Sequence, residues 1–380
     1  MSAAFEVAVR LLLHDRVRFA ATVFGVGVAV LLILLQLGFL GVLLNRATST
    51  IEQVDADLWV VSRNVETVDL PVQFSDDLVW VARSTPGVMR ADNLTVQYVN
   101  AVRPTGELEA ILVYAMRDFQ PWGFPRIVDG STADLRNGRV CLIDGSPSNL
   151  RRFGPVRKGD FTVLQGMRAM VVAVSQKLFC FTASPIALMS DTTFHEIART
   201  DRFDRVTSYI VVRVADGADT RVVQRALQSR LPGQEVLRKS QWESRTRNYW
   251  LLTTGLGLNM AMNVSLGVLV GIAVVSLNLY VVTMEHFREF GTIKAIGGRN
   301  SDIHAIIAFQ GLIYGLLSFA LGWIGLKAAA LLLARVDLAP ILSFPTMCLA
   351  LFSSVALCLL ASMISFRRIS RIDPLDVMRN

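Results

Sequence analysis

The residue types that most often carry chemistry are few and scattered in this chain. There are four histidines, His14, His195, His286 and His304, and four cysteines, Cys141, Cys180, Cys348 and Cys358. A protein-held zinc ion needs several nitrogen or thiolate donors close together, typically as H-x-x-x-H or C-x-x-C. Neither spacing occurs. No G-x-S-x-G nucleophile elbow is present, so a serine hydrolase of that type is not expected. The phosphate-cradling G-x-x-x-x-G-K-[ST] loop is also missing. Two carboxylate pairs, Asp76-Asp77 and Glu107/Glu109, sit at a helix start and in a strand region and read as solvated surface. The expectation is a chain with no catalytic residue, metal or cofactor of its own. If it does work, the energy comes from a partner.

The elements that would hold these residues are dominated by four long apolar stretches. Hydrophobic residues make up 52% of the 380 and charged residues 18%, which excludes a disordered or low-complexity chain. About 20 helical residues span about 30 Å of hydrocarbon, and stretches 19–44, 251–284, 303–333 and 342–366 are all long enough. The first is roughly twice a signal-peptide core in length and no A-x-A follows it, so it reads as a retained anchor. Arg10, Arg16 and Arg18 precede it. Arg288, Lys294 and Arg299 lie between the second and third stretches, and Arg367, Arg368, Arg371 and Arg379 follow the fourth. The positive-inside rule puts all three basic segments, and both termini, in the cytoplasm. Residues 334–341 are then a short external loop and 45–250 an extracytoplasmic domain. That domain holds 26 Lys+Arg against 23 Asp+Glu, so +3 of the net +7 is mild surface charge. No basic stripe with stacking aromatics points to nucleic acid.

The external segment reads as α+β. Strands are expected at 57–62, 95–102, 108–116, 139–143, 161–164, 170–174 and 209–214, from their Val, Ile and Tyr content. Helices are expected at 76–84, with Ser75 as N-cap and Pro86-Gly87 as stop, and at 220–231. A division into two lobes is compatible with this pattern. Cys141 and Cys180 are either a disulfide or two buried thiols. Residues 47–54 extend the first span as a helix. No proline interrupts 241–284, so the second span reads as one continuous helix of about 65 Å. Both would form a stalk under the external domain. Gly267-x-x-x-Gly271 and Gly311-x-x-x-Gly315 permit close helix packing, within one subunit or across a dimer. The polar intramembrane residues are Gln36, Asn259, Asn263, Asn278 and Gln310; the one charge, Lys327, lies where it can snorkel to the interface.

Two cytoplasmic segments carry more information. Residues 1–18 form an amphipathic helix with Phe5, Ala8, Val9, Leu12 and Leu13 on one face and Glu6, Arg10 and His14 on the other. Its apolar side is expected in the lipid headgroup region. The loop 285–302 reads as a short helix between a break at Gly291 and one at Gly297-Gly298, with Ser301 capping the third span. Its run Arg288-Glu-Phe-Gly-Thr-Ile-Lys-Ala-Ile-Gly-Gly298 resembles the R-E-x-G-x-x-K/R-A-x-G-A signature of FtsX/MacB-type ABC transporter permeases, with Gly298 where alanine is common. The tail from Arg368 through Asp373-Pro374 to Arg379 is similar to that family's ending. Gln36-Leu-Gly-Phe39 and Asp57-Leu-Trp59-Val most resemble its DevC branch.

The resemblance implies a membrane protein with four transmembrane helices and an α+β extracytoplasmic domain between the first and second. It implies a multi-pass subunit of the bacterial inner (plasma) membrane, working as a dimer with a cytosolic ABC ATPase dimer that holds the ATP and magnesium. Glu285, Arg288, Glu289, Gly291, Lys294, Ala295 and Gly297 would be the ATPase-coupling positions. ATP-driven closure of the partner would move the stalk and the external domain, a mechanotransmission that exports lipid, peptide or drug-like cargo with a HlyD-type periplasmic adaptor and an outer-membrane channel. Alternatives are lipoprotein or lipid extraction of the LolC/LolE kind and FtsX-like signalling to an external hydrolase.

Overall fold

A computed structural model describes residues 2–103, 105–136, 138–181, 185–198, 205–285, 300–334 and 339–369. The chain divides into two units, residues 1–42 with 258–380 and residues 43–257.

The first unit is helical. It contains α1 (Ser2–His14), the first part of α2 (Arg16–Gln53), α8 (Leu256–Glu285), α9 (Asn300–Leu333) and α10 (Phe344–Ile369). The last four are long and apolar enough to cross a membrane. A helix satisfies its backbone polar groups internally, which hydrocarbon demands. Side chains of all five pack together: Leu12 of α1, Val26, Val30 and Leu34 of α2, Leu279 of α8, Tyr314 of α9 and Leu357 of α10 form one buried cluster. α9 begins at Asn300, so Ser301 lies inside its first turn and is not the cap.

Both GxxxG patterns serve packing within the chain. A Cβ on Gly267 would meet Ile33 at 3.1 Å, one on Gly271 would meet Leu357 at 3.2 Å, and one on Gly315 would lie 2.9 Å from Val355 Cα. The small residues therefore let α8 approach α2 and α10, and α9 approach α10. The intramembrane amides are mostly used up in the same way. Gln36 Nε2 donates to Met260 Sδ at 2.6 Å, Asn278 Nδ2 to the Tyr314 hydroxyl at 3.0 Å and Asn263 Nδ2 to Asn259 Oδ1 at 3.3 Å. Gln310 is buried and, among the described residues, its amide has no partner. The exposed Lys327 ammonium lies 4.7 Å from the Trp323 ring centroid.

The second unit is built on one ten-stranded sheet, so the external strands do not split into two separate lobes. In chain order its strands are β1 (Leu58–Ser62), β3 (Val88–Val102), β4 (Leu108–Met116), β5 (Ile127–Asp129), β6 (Val140–Asp144), β7 (Phe161–Leu164), β8 (Met167–Ser175), β9 (Ile186–Ser190), β11 (Tyr209–Val214) and β12 (Gln234–Arg238). β2 (Phe74–Ser75) and β10 (Val206–Thr207) form a separate small pair. The spatial order is β12-β1-β11-β3-β4-β9-β6-β8-β5, with β7 against β3 and β8. Pairing is antiparallel except β4 with β9 and β6 with β8.

Alternation along the strands sorts side chains to two faces. Trp59, Leu94, Val96, Leu112, Tyr114, Leu188 and Tyr209 lie in one core with Ile51 of α2, Val54 just after it and Trp242 of α7 (Lys239–Asn248). The opposite face is covered in two halves. α3 (Leu78–Arg83) and α6 (Thr220–Arg230) contribute Val79, Ala82, Val223 and Leu227 to one core. α4 (Pro147–Phe153) and α5 (Asp191–Ala198) contribute Phe153, Phe194 and Ile197 to another. Strands buried on both faces, such as Leu58–Ser62 and Ile186–Ser190, are accordingly apolar without a polar alternate. α6 starts where Asp219 accepts from Arg221 N at 2.8 Å. At α3 the expected Ser75 cap is not made; the N-cap position is Asp77.

The long second helix is interrupted. α7 ends at Asn248, a π-helical turn covers Tyr249–Thr253, and α8 starts at Leu256. Gly255 takes φ +74°, a left-handed conformation that favours glycine over residues with a Cβ. The freed carbonyl of Trp250 accepts from the Thr254 hydroxyl at 2.6 Å. The continuous 65 Å rod expected from the missing proline is thus replaced by two helices. By contrast α2 has no break over its 38 residues.

Replacing Gly315 with leucine forces a side chain into the α9–α10 contact. The expected cost is about 1–3 kcal/mol, read as a lower thermal midpoint of the purified chain in detergent. An unchanged midpoint would contradict this packing.

Candidate functional site

Each unit holds one candidate site. The first surrounds Glu285, the last residue of α8 and the one expected coupling position among the described residues. Arg288, Glu289, Gly291, Lys294, Ala295 and Gly297 lie outside them, as does the tail from 370.

Local chemistry sets the geometry at this corner. Asp15 separates α1 from α2 and caps α2, its Oδ1 accepting from Arg18 N at 3.0 Å. The same carboxylate lies 3.5 Å from Arg18 Nε. With its stem held, the Arg18 guanidinium reaches Glu285 and forms an ion pair. Leu11, Leu12, His14, Phe19, Val282 and Tyr314 line a cleft of about 570 Å³ around this pair, with Arg16 also present. The Phe19 and Tyr314 rings lie 5.5 Å apart beside it.

α1 packs on the start of α9. Ala8 is buried with Ile303, Ile306 and Ile307, and Ala4, Val7 and Leu11 pack around them. Phe5 meets Phe309 edge to face at 5.6 Å. This corrects the expected apolar face. The protein-facing stripe is Ala4, Val7, Ala8, Leu11 and Leu12, while Phe5 and Leu13 remain half exposed. A neighbouring helix selects the side with the small residues, because they allow close approach. Glu6 and Arg10 form the expected i,i+4 pair at 2.6 Å on the exposed side.

The second site lies where the end of α2 meets α7 and the sheet. Lys239 Nζ donates to the carbonyls of Glu52 and Val54 at 2.9 and 3.0 Å, satisfying the C-terminus of α2. Arg247 pairs with Glu52 at 2.9 Å. Thr50 and Tyr114 share a hydroxyl bond of 2.8 Å. Trp250 stacks on Phe181 with centroids 3.6 Å apart and donates to Thr67 Oγ1 at 3.2 Å. Burial of Trp250 thus fixes the π-helical turn to the external domain.

Under these contacts sits Asp69, 1% exposed. Its Oδ1 accepts from the Cys180 thiol at 3.0 Å, and its Oδ2 has no partner among the described residues. Burial is the main cause that pushes its carboxyl up to about 7, against the opposing hydrogen bonds from Cys180 and the Phe181 backbone. The Tyr114 and Tyr209 hydroxyls nearby are pushed well up by the same burial. Sequence reading missed Asp69, because an isolated aspartate in a loop looks like surface. Cys180 and Cys141 are separate buried thiols in different cores, so no disulfide joins them. Burial pushes the Cys141 thiol up to about 12.

The carboxylate pairs are not wholly solvated surface: Asp77 and Glu107 are exposed, but Asp76 is half-buried and the Glu109 side chain is 15% exposed. Glu107 pairs with Arg103 at 2.9 Å, and Glu109 with Arg152 at 3.0 Å. His195 lies 3.2 Å from Asp191. Among the described residues no cluster of three or more His, Cys, Asp or Glu is placed to hold a metal.

A family model for the MacB-like periplasmic core domain matches residues 19–230, more than half the chain. One for the FtsX-like permease C-terminal matches residues 262–374. The chain belongs to the MacB/FtsX-type permeases. The permease assignment and the fold class read from the loop, tail and layout therefore stand: four candidate membrane helices with an α+β domain between the first and second. Permeases of this family are components of ABC transporters, are generally not themselves catalytic, and work with ATPase partners. Solved structures similar to this chain include the periplasmic region of MacB from Actinobacillus actinomycetemcomitans. The identity is 10%, the TM-score 0.41, and the match covers 52% of this chain and 96% of that one. The extracellular domain of the ABC-type transporter YknZ from Gram-positive bacteria matches at 14% identity and TM-score 0.36, over 48% of this chain and 98% of that one. Comparison with curated protein sequences returns no match.

Asp69 generates a pH prediction. Its folded carboxyl is raised from 3.8 to about 7, so the folded chain keeps a proton that the unfolded chain has released. Stability therefore falls as pH rises from about 4 to about 7 and is level above. The loss is on the order of 4 kcal/mol. Asp69→Asn removes it. The variant should match the wild type in thermal midpoint near pH 4.5 and exceed it at pH 8. Parallel pH profiles for the two proteins would refute the assignment.

Proposed function

We propose that this permease is a multi-pass subunit of the bacterial inner membrane, with both termini in the cytoplasm. It couples a cytosolic ABC ATPase dimer to movement of its external domain. It works as a dimer and exports a lipid, peptide or drug-like cargo with a HlyD-type periplasmic adaptor and an outer-membrane channel. Residues 285–297 are the coupling segment, with Arg288, Glu289 and Lys294 supplying the charged contacts and Gly291 and Gly297 the turns. ATP and magnesium are bound by the ATPase.

The observation that carries this reading is the pair of family matches, one on each side of residues 230–262. The geometry supports it in a specific way. The ends of α2 and α7 are tied together by Lys239 and Arg247 and are buried against the sheet through Ile51, Val54 and Trp242. A displacement of either helix end must therefore load the external core. The break at Thr254–Gly255 revises the expected mechanism: α2 is the unbroken rod, and the α7–α8 path contains a hinge. Charge pairing at an interface of this kind governs association.

The double variant Arg288→Ala/Glu289→Ala, and Lys294→Ala alone, should each weaken ATPase association about tenfold, equivalent to about 1.4 kcal/mol. Co-purification and stimulated ATP hydrolysis report this. Wild-type association and wild-type stimulation in both variants would remove the coupling assignment.

A further inference from the structure

We propose that the N-terminal segment, Ala4 to Arg18, is a positioning element that holds both flanks of the coupling segment. This inference rests on the function proposed above. Residues 286–299 connect α8 to α9, and the N-terminal segment makes a separate contact with the helix on each side. At the end of α8 the contact is polar: the Arg18 guanidinium pairs with Glu285. At the start of α9 it is apolar: Ala8 is fully buried against Ile303, Ile306 and Ile307, with Phe5 on Phe309.

These two contacts are linked by a short, ordered corner. Asp15 caps α2 through Arg18 N and also approaches Arg18 Nε, so the carboxylate that ends α1 aims the side chain that grips Glu285. The Arg18 and Glu285 side chains are 34% and 50% exposed. An ion pair at this exposure adds little to stability, which fits a contact that sets position instead of holding the fold. Among the described residues Glu285 has no other ion-pair partner, whereas Arg18 has Asp15, so losing the pair frees the α8 end while leaving the α2 cap intact. A force on the loop then has two routes. It can move α8 and α9 independently, or it can carry them as a unit with α1. The clamp selects the second, because separating the flanks must break the ion pair or strip Ala8 from its three isoleucines.

The test uses the full chain with the ATPase that co-purifies with it from its host membrane. Arg18→Glu and Glu285→Arg are compared with the Arg18→Glu/Glu285→Arg swap and with the conservative Arg18→Lys. Arg18→Glu should keep ATPase association and the KM for ATP, and both single reversals should lower the stimulated kcat at least fivefold. The swap and Arg18→Lys should recover it to within twofold of the wild type. Ala8→Trp, which displaces α1 from α9 without touching the ion pair, should also lower stimulated kcat, and Leu13→Ala should not. Wild-type kcat in both single reversals, or no recovery in the swap, overturns the clamp. The Arg288→Ala/Glu289→Ala and Lys294→Ala variants are measured in parallel. If they matter and the Arg18 and Glu285 variants do not, the clamp alone fails. If the loop variants have no effect, the clamp falls with the coupling reading.

Discussion

Water is absent from the hydrocarbon core of a membrane, so every backbone N–H and C=O there must be satisfied within the protein. This constraint shapes the whole first unit. It requires helices without interruption, and 256–282, 301–333 and 344–362 comply, as does α2. It makes close packing of small residues a chief source of association between helices, which is why the glycines at 267, 271, 311 and 315 face neighbouring helices. It also explains why the amides of Gln36 and Asn278 are each spent on a side chain of another helix.

The second unit obeys the opposite rule. Its sheet is buried on both faces, so ordinary hydrophobic burial stabilises it. The polar groups inside are concentrated where helix ends and loops converge. Thr50 on Tyr114, Trp250 on Thr67 and Cys180 on Asp69 form a buried polar layer at that junction. Asp69 adds an ionisable group there with no ion-pair partner among the described residues, which ties the packing of the junction to proton concentration. The same junction captures Trp250 and so displaces the register of the α7 helix into a π turn.

Much of this was legible in the sequence because the physical signals were strong. The four apolar stretches are each long enough and apolar enough to span the hydrocarbon core. The runs at 108–116, 161–164 and 209–214 carry enough Val, Ile and Tyr to declare themselves as strands. Other elements give no comparable signal. Ile186–Ser190 is short and buried on both faces, so it has no alternation, and Gln234–Arg238 has too many polar residues for a strand reading. The break at Gly255 was invisible because its cause is tertiary: no proline marks it, and Trp250 is drawn aside by Phe181 and Thr67. At the first site the family motif was readable, but the Arg18–Glu285 pair joins residues 267 positions apart. Local spacing cannot report such a contact, and it also cannot say which side of α1 a neighbouring helix will take.

The account depends on the segment after Glu285 facing the compartment that holds the ATPase. The direct measurement is a single cysteine at position 294, in a chain whose four native cysteines are serine, probed with a membrane-impermeant maleimide. The account predicts labelling in inside-out vesicles and none in intact, right-side-out ones. Labelling from the outer face alone would contradict it.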